Sequence, residues 1–549
     1  MANVLKVHDS DNVLVALDDL PAGTAVRDNG SVISLPEKVQ AKHKLVTQAR
    51  AAGDPIYMYG VLVGRATQAI PLGAPIHTGN VKHATAEFNA ADSTFSWTPP
   101  DVRRWKDRTF MGYHRSDGQV GTANYWVVIP LVFCENRNVA ILRDAFEKEL
   151  GYAQPALYQQ HVAELVKQYR AGAPAEALRA WAYPTQKAAS TRAPVFENID
   201  GIQFLTHEGG CGGTRQDART LVSLLAGYIH NPNVAGATVL SLGCQNAQIE
   251  MLQEEIHKRN PNFDKPLYLY EQQRGPSEYD MLSDAIRQTF AGLVEANQLR
   301  RAPAPLSALT FGVECGGSDG FSGISANPAM GHAADLLVAL GGTVILSEFP
   351  ELCGVEQELI NRAVTPEIGD RFIRIMREYS RQAEAVGSGL HMNPSPGNIK
   401  DGLITDAIKS AGAAKKGGTS PITGVLGYPE YATAKGLNLL CTPGNDVEST
   451  TGMAGAGANI MAFSTGLGTP TGNPISPVVK VSSNTRLAQR LPDIIDLDSG
   501  SIIAGEKSIQ DVGEELLEML IRVASGEMKT KAQILGQHDF IPWKQGVSL

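Results

Sequence analysis

A disulfide scaffold, a membrane span and a nucleotide loop are all missing from this chain. Six cysteines in 549 residues are too few to staple a fold. The thiols are expected free in a reducing cytoplasm, available for packing, metal or catalysis. No apolar run approaches the roughly 18 residues that a membrane-spanning helix needs. The opening MANVLKVHDSDNVLVAL has no basic stretch leading into an apolar one, and predicts no signal peptide. No Gly-x-Gly-x-x-Gly follows a first strand, and there is no Walker A loop or Cys-x-x-Cys pair. Nucleotide binding and a structural zinc ribbon therefore have no sequence support. Lys plus Arg number 48 against 57 Asp plus Glu, a net charge of −9. That excludes a basic nucleic-acid footprint. An anionic ligand would have to be met by local Arg, Lys, metal or backbone N–H groups.

What the chain has in quantity is glycine, 55 residues clustered in loops after apolar runs, as expected where backbone is shaped around a ligand. Residues 1–90 read as a small all-β unit: VLVAL, VISL and IYMYGVLVG are short runs broken by Gly and Pro. Residues 91–110 read as a linker, with Arg103, Arg104, Lys106 and Arg108 expected as a solvated charge run. From 111 apolar strands alternate with amphipathic helices, which predicts βαβ units and parallel sheets. A boundary near 303, at RAPAPLS, divides a first α/β domain (111–302) from a second (303–549).

Parallel sheets bind ligands beyond the carboxyl ends of their strands, and thiols recur at that place. Cys134 ends VVIPLVFC, Cys211 follows IQFLTHEGG, Cys244 ends ATVLSLGC, Cys315 ends ALTFGVEC and Cys441 ends GLNLLC; Glu348 holds the same position after TVILS. Buried cysteine is often a small hydrophobe and nothing more. The grouping, with His207 four residues before Cys211, instead points to metal or acid–base chemistry, since imidazole and thiolate suit Fe(II) or Zn(II). The loop MNPSPGN offers Asn393, Ser395 and Asn398 to hydroxyls, or is a plain connection.

The ordered pieces HDSDNV, KHKL, GYHRSDGQVGTANY, THEGGCG, LGCQNAQ, CGGSDGFSGISANPAMG, ILSE, NPSPGN and TPGNDVEST resemble the altronate/galactarate dehydratases, sugar-acid dehydratases with an N-terminal SAF (β-clip) domain. PGND is closest to the altronate type, and the helical stretch over about 150–195 looks like an insertion. The resemblance implies an SAF domain followed by two α/β domains with mainly parallel sheets. It also implies loss of water from a small-molecule sugar acid such as altronate to give a 2-keto-3-deoxy acid. His43, His207 and His8 are the implied acid–base residues. Arg115, Asp117, Ser318, Asp319, Asn327, Asn393 and Asn398 are implied to bind substrate. Cys211, Cys244, Cys315 and Glu348 are the implied metal residues, with Fe(II) the expected ion and Mn(II) the alternative. Glu208, Cys353 and Cys441 have no counterpart in the galactarate pattern and stand outside that set. A galactarate-type or other 2-hydroxy-acid lyase, an iron–sulfur hydro-lyase built on the cysteines, and a non-catalytic sugar-acid binder are the competing readings. No nucleic acid or membrane partner is implied, and a homo-oligomer is left open.

Overall fold

The computed structural model describes residues 4–154, 157–182 and 193–549. The N-terminal unit is built only of short antiparallel strands. Val4–Leu5, Val13–Ala16 and Lys44–Val46 form one sheet, Ala25–Asp28 and Ser31–Ser34 a second, and Pro55–Met58, Val61–Ala66 and Val81–Lys82 a third. The apolar residues alternate or cluster inward, and Gly and Pro sit at the reversals. This is the small all-β unit expected at the N-terminal end.

Two parallel sheets follow. The smaller runs, in spatial order, Gly201–Phe204, Tyr125–Pro130, Val234–Ser241 and Leu267–Glu271. The larger has seven strands in the order Ile422–Leu426, Gly436–Leu440, Thr343–Leu346, Thr310–Cys315, Ile460–Thr465, Val478–Ser482 and Leu497–Asp498, all parallel. After Thr310–Cys315 the chain winds outward on one side, then returns to the other side at Ile460–Thr465. The switch point lies between those two strands, where their carboxyl ends leave a crevice. An antiparallel trio, Val120–Gly121, Thr109–His114 and Ala302–Pro305, stands apart from both.

The region expected as an insertion carries helices Leu157–Arg170 and Ala175–Ala180; its residues 155–156 and 183–192 lie outside the described residues. The linker is more than a solvated charge run. Trp105 is buried and donates its indole N–H to Glu518, while Arg104 and Arg108 pair with Glu514 and Glu518 on helix Ile509–Ala524. An acidic face on that helix draws the basic segment down. The cores are shared as well. Val15, Ile56 and Val63 of the β module pack in one apolar cluster with Phe321, Leu346 and Leu403 of the C-terminal unit, so the β module is docked rather than tethered. Among the described residues no helix is long and apolar enough to cross a membrane.

Candidate active site

The strand Thr310–Cys315 ends at the switch point, and its last two residues, Glu314 and Cys315, are fully buried. The next strand over supplies Glu348, whose backbone is left-handed at φ 66°. A non-glycine residue held there costs on the order of 1–3 kcal/mol and marks an enforced geometry. The Glu348 N–H donates to Thr442 Oγ1 at 2.8 Å, which helps hold it. Glu351 follows in the turn Phe349–Leu352.

Lys416 enters this group from 101 residues away. Its ammonium, 0% exposed, donates to Glu348 Oε2 at 2.7 Å and to Cys315 Sγ at 3.1 Å. The Cys315 thiol faces Glu351 Oε2 at 3.3 Å, and Lys409 holds the other Glu351 oxygen at 2.6 Å. Burial opposes the charge on Lys416, but the carboxylates of Glu348 and Glu351 outweigh it and keep the ammonium well above its ordinary pKa. Burial pushes the Cys315 thiol up, against the pull of Lys416, so it is neutral and the glutamates carry the compensating charge. Glu351 lies below the usual carboxylate range: burial would raise it, and Lys409 with Lys416 reverses that.

On the other side of Glu348 the balance is different. Glu314, Glu348 and Asp446 bring carboxylate oxygens within 4.8 Å of one another. Glu314 Oε2 accepts from Ser347 and Ser449, yet Glu314 Oε1 and Glu348 Oε1 are buried without any donor. Burial raises both Glu314 and Glu348, helped at Glu314 by the charge of Glu348 and at Glu348 by that of Glu351, and Asp446 is pushed up to about 7 by burial and by Glu348. Gly316 has no side chain because a Cβ there would collide with the Asp446 carboxylate. The two carboxylate groups thus differ as cation sites. The Cys315–Glu348–Glu351 group already holds the lysine ammonium, whereas the Glu314–Glu348–Asp446 group has orphaned acceptors facing one another, the donor set of a divalent ion bound through oxygen.

The β module closes over the same strand ends. Lys42 pairs with Asp319 at 3.0 Å and with Asp401 at 2.8 Å. His43 is half-buried with Nε2 3.1 Å from the Lys400 carbonyl, and burial lowers its pKa. Lys44 is buried, donates to Gly402 O at 2.7 Å and is pushed down to about 7 by burial. His8 remains exposed, its Nδ1 2.8 Å from Ser10 Oγ and its ring over Gly60.

The other residues singled out from the sequence separate into groups. Asn393 accepts from Lys409 at 2.5 Å and so borders the lysine–carboxylate cluster, and Ser318 Oγ is buried without a partner. Asp319, Asn327 and Asn398 shape the loop after Cys315. Asp319 accepts from Ser322 and Ser483, Asn327 donates to Gly412 O, and Asn398 donates to Ser318 O. Arg115 and Asp117 are elsewhere. Arg115 donates to Pro232 O and Asn124, and Asp117 lies by Gln119 and His230, at the amino ends of the strands. A six-residue strand spans about 20 Å, so neither reaches Cys315. Their alternation in GYHRSDG belongs to a hairpin turn, and burial lowers Arg115 to about 10.

His207, Cys211 and Cys244 gather at the carboxyl ends of the smaller sheet. His207 and Cys211 line a cavity of about 520 Å³ with Trp543 and Lys544. His207 has both ring nitrogens engaged: Nε2 lies 2.7 Å from Pro130 O and Nδ1 accepts from Gly209 N–H. Burial lowers it to about 4. It braces the glycine loop and has no nitrogen free to take a proton. Cys211 and Cys244 are exposed, while Cys315 and Glu348 are buried in the larger sheet. The four expected metal residues therefore do not close around one ion.

Sequence reasoning missed Lys44, Lys409, Lys416, Glu314, Glu351 and Asp446. One signal was present: Lys44 sits in the apolar strand KLV, where a lysine needs a reason to be buried. The lysines of GAAKKGG carried no such mark.

Three family descriptions cover the chain in order: the altronate/galactarate dehydratase SAF domain over 2–84, the second domain of D-galactarate dehydratase/altronate hydrolase over 112–297, and the D-galactarate/altronate dehydratase C-terminal domain over 306–548. The chain is 31% identical to an altronate dehydratase of Bacillus subtilis over 96% of both chains. It is 31% identical to an altronate dehydratase of Escherichia coli over 95% of both. A galactarate dehydratase (L-threo-forming) of Escherichia coli is also 31% identical, over 97% of this chain and 95% of that protein. With its three blocks in family order and relatives matched end to end, the chain belongs to the altronate/galactarate dehydratase family.

Proposed function

We propose that the chain is a cytoplasmic hydro-lyase that removes water from a small-molecule sugar acid, altronate or a near relative, to give a 2-keto-3-deoxy acid. The observation that carries this reading is the docking of the β module, through Lys42 and His43, onto the switch-point crevice that holds Glu314, Cys315 and Glu348. An acid and a base from one unit then face carboxylates and ammonium groups from the other.

Removing the proton beside a carboxylate builds negative charge on that carboxylate, so cationic partners lower the barrier most. Lys409, reaching from Glu351 to Asn393, and Lys42 supply fixed positive charge at the crevice. His43, neutral because burial lowers its pKa, is assigned as the proton acceptor, and its hydrogen bond to Lys400 O orients the ring. Lys44, at the start of the next strand and near 7, is a group able to exchange a proton at neutral pH. The neutral Cys315 thiol and Ser318 hydroxyl are donors for the departing hydroxyl. Glu314, Glu348 and Asp446 would hold a divalent ion, which when bound supplies Lewis-acid stabilisation of the developing charge. This all-oxygen set suits Mn(II) at least as well as Fe(II). Asp446, half-buried at the start of its helix, is the member nearest the outside.

The test is a panel of aldonic and aldaric acids incubated anaerobically with protein reconstituted with Mn(II) or Fe(II), and detection of 2-keto-3-deoxy products. Turnover of altronate or a close epimer is expected. Absence of product from every acid in the panel overturns the reading.

A further inference from the structure

A second group of metal-ligating side chains lies behind the crevice, and nothing in the dehydratase reading uses it. His83 directly follows the last strand of the β module, Val81–Lys82. Cys353 follows the turn Phe349–Leu352 that carries Glu351. Asp406 opens helix Asp406–Ala413, whose N-cap Thr405 also donates to Val63 O of the β module. The donor atoms of His83, Cys353 and Asp406 lie within 4.8 Å of one another.

We propose that His83, Cys353 and Asp406 form a binding site for a divalent transition-metal ion that clips the β module to the C-terminal unit. Asp406 is fully buried, and its Oδ2 has no hydrogen bond of ordinary geometry; only the weak Cys353 thiol faces it. A buried carboxylate oxygen left this way costs free energy unless a cation meets it. His83 Nδ1 is 3.4 Å from the Ala407 N–H, a long contact that sets this nitrogen beside Asp406. Imidazole, thiolate and carboxylate together suit Zn(II), Fe(II) or Co(II) over Mg(II) or Ca(II). An entry path exists: His83 and Cys353 line a cavity of about 490 Å³, with His391 and Glu356 on its other walls. The His391 ring is 6.2 Å from that of His83, within reach as a further ligand. Gly354, at φ +93°, lets the Cys353 turn press against Thr85 and Ala407, where a Cβ would come within 2.9 Å of Thr85. Each ligand thus comes from a different segment, and one ion would join all three.

This inference does not depend on the substrate. The full-length protein, stripped of metal, is titrated with Co(II), and the thiolate-to-Co(II) charge-transfer band is followed. A saturable band is expected in the wild type, in C315S and in the triple variant C134S/C211S/C244S, and its loss in C353S. D406N, which keeps the thiol, should bind Co(II) at least about tenfold more weakly, and this variant decides the matter if C353S does not fold. Absence of the band in the wild type, its survival in C353S, its loss in the triple variant or C315S, or unchanged affinity in D406N overturns the proposal.

Discussion

Replacing Lys416 with Met tests the central electrostatic argument. The wild-type ammonium is 2.7 Å from Glu348 and 3.8 Å from Glu351, with all three groups buried. At an effective dielectric of about 20 the closer pair alone attracts by about 6 kcal/mol, much of it offset by desolvation. Breaking such a pair by removing one partner usually costs about 3–5 kcal/mol, because the other charge is left uncompensated. For a unit of roughly this size each kcal/mol moves the midpoint by about 2–4 °C, so a fall of roughly 6–20 °C is expected. The pH dependence identifies the cause. Glu348 already has a raised pKa, from burial and from Glu351; without Lys416 it rises further. A carboxyl raised in the folded state binds its proton more tightly than the unfolded chain does, so folding weakens as pH climbs from the unfolded value, about 4.3, toward the folded one. While Glu348 titrates, each pH unit adds at most about 1.4 kcal/mol to the penalty. Thermal melts by circular dichroism at pH 5.5 and pH 8 should therefore show the larger loss at pH 8. An equal loss at both, or none, would refute the claim that Lys416 neutralises buried glutamate.

Three further outcomes follow from the site. His43→Ala should lower kcat by about 10²–10⁴-fold with the fold intact, whereas His207→Ala should act mainly on thermal stability, since both its ring nitrogens brace backbone; steady-state kinetics beside melting curves separate the two, and near-normal turnover in His43→Ala makes the β module a structural accessory. If neutral His43 is the base, kcat/KM falls as pH drops through its pKa, and because burial depresses that pKa the acid limb should lie below the ordinary histidine value of about 6.5; a limb above it refutes the assignment. Chelation should abolish activity, Mn(II) or Fe(II) should restore it, and Glu314→Gln should weaken metal binding measured by calorimetry, while full turnover in rigorously metal-free protein ends the metal reading.

The order of elements was legible in the residues. Short runs broken by Gly and Pro marked a small β unit, and strand–helix alternation from 111 marked mainly parallel sheets, because period and turn chemistry are local properties. Strand ends could be marked as well, since Cys315 and Glu348 close their apolar runs. What local pattern could not supply was which strand ends meet. Six strand-end candidates are equivalent along the chain, yet the crossovers put Thr310–Cys315 beside Thr343–Leu346 and Ile460–Thr465, which joins Glu314, Cys315 and Glu348 and leaves Cys211 and Cys244 on the other sheet. Lys416 and Asp446 reach the cluster from 101 and 132 residues beyond Cys315 and Glu314 respectively, and a lysine in GAAKKGG looks like any surface lysine until a helix turns it inward. Arg115 and Asp117 show the converse: their spacing was suggestive, but strand direction sent them to the amino end. Sequence thus determined the units and their order, through interactions between near neighbours. Only the tertiary structure decided which charges are buried together, because burial and dielectric depend on packing between segments far apart in the chain.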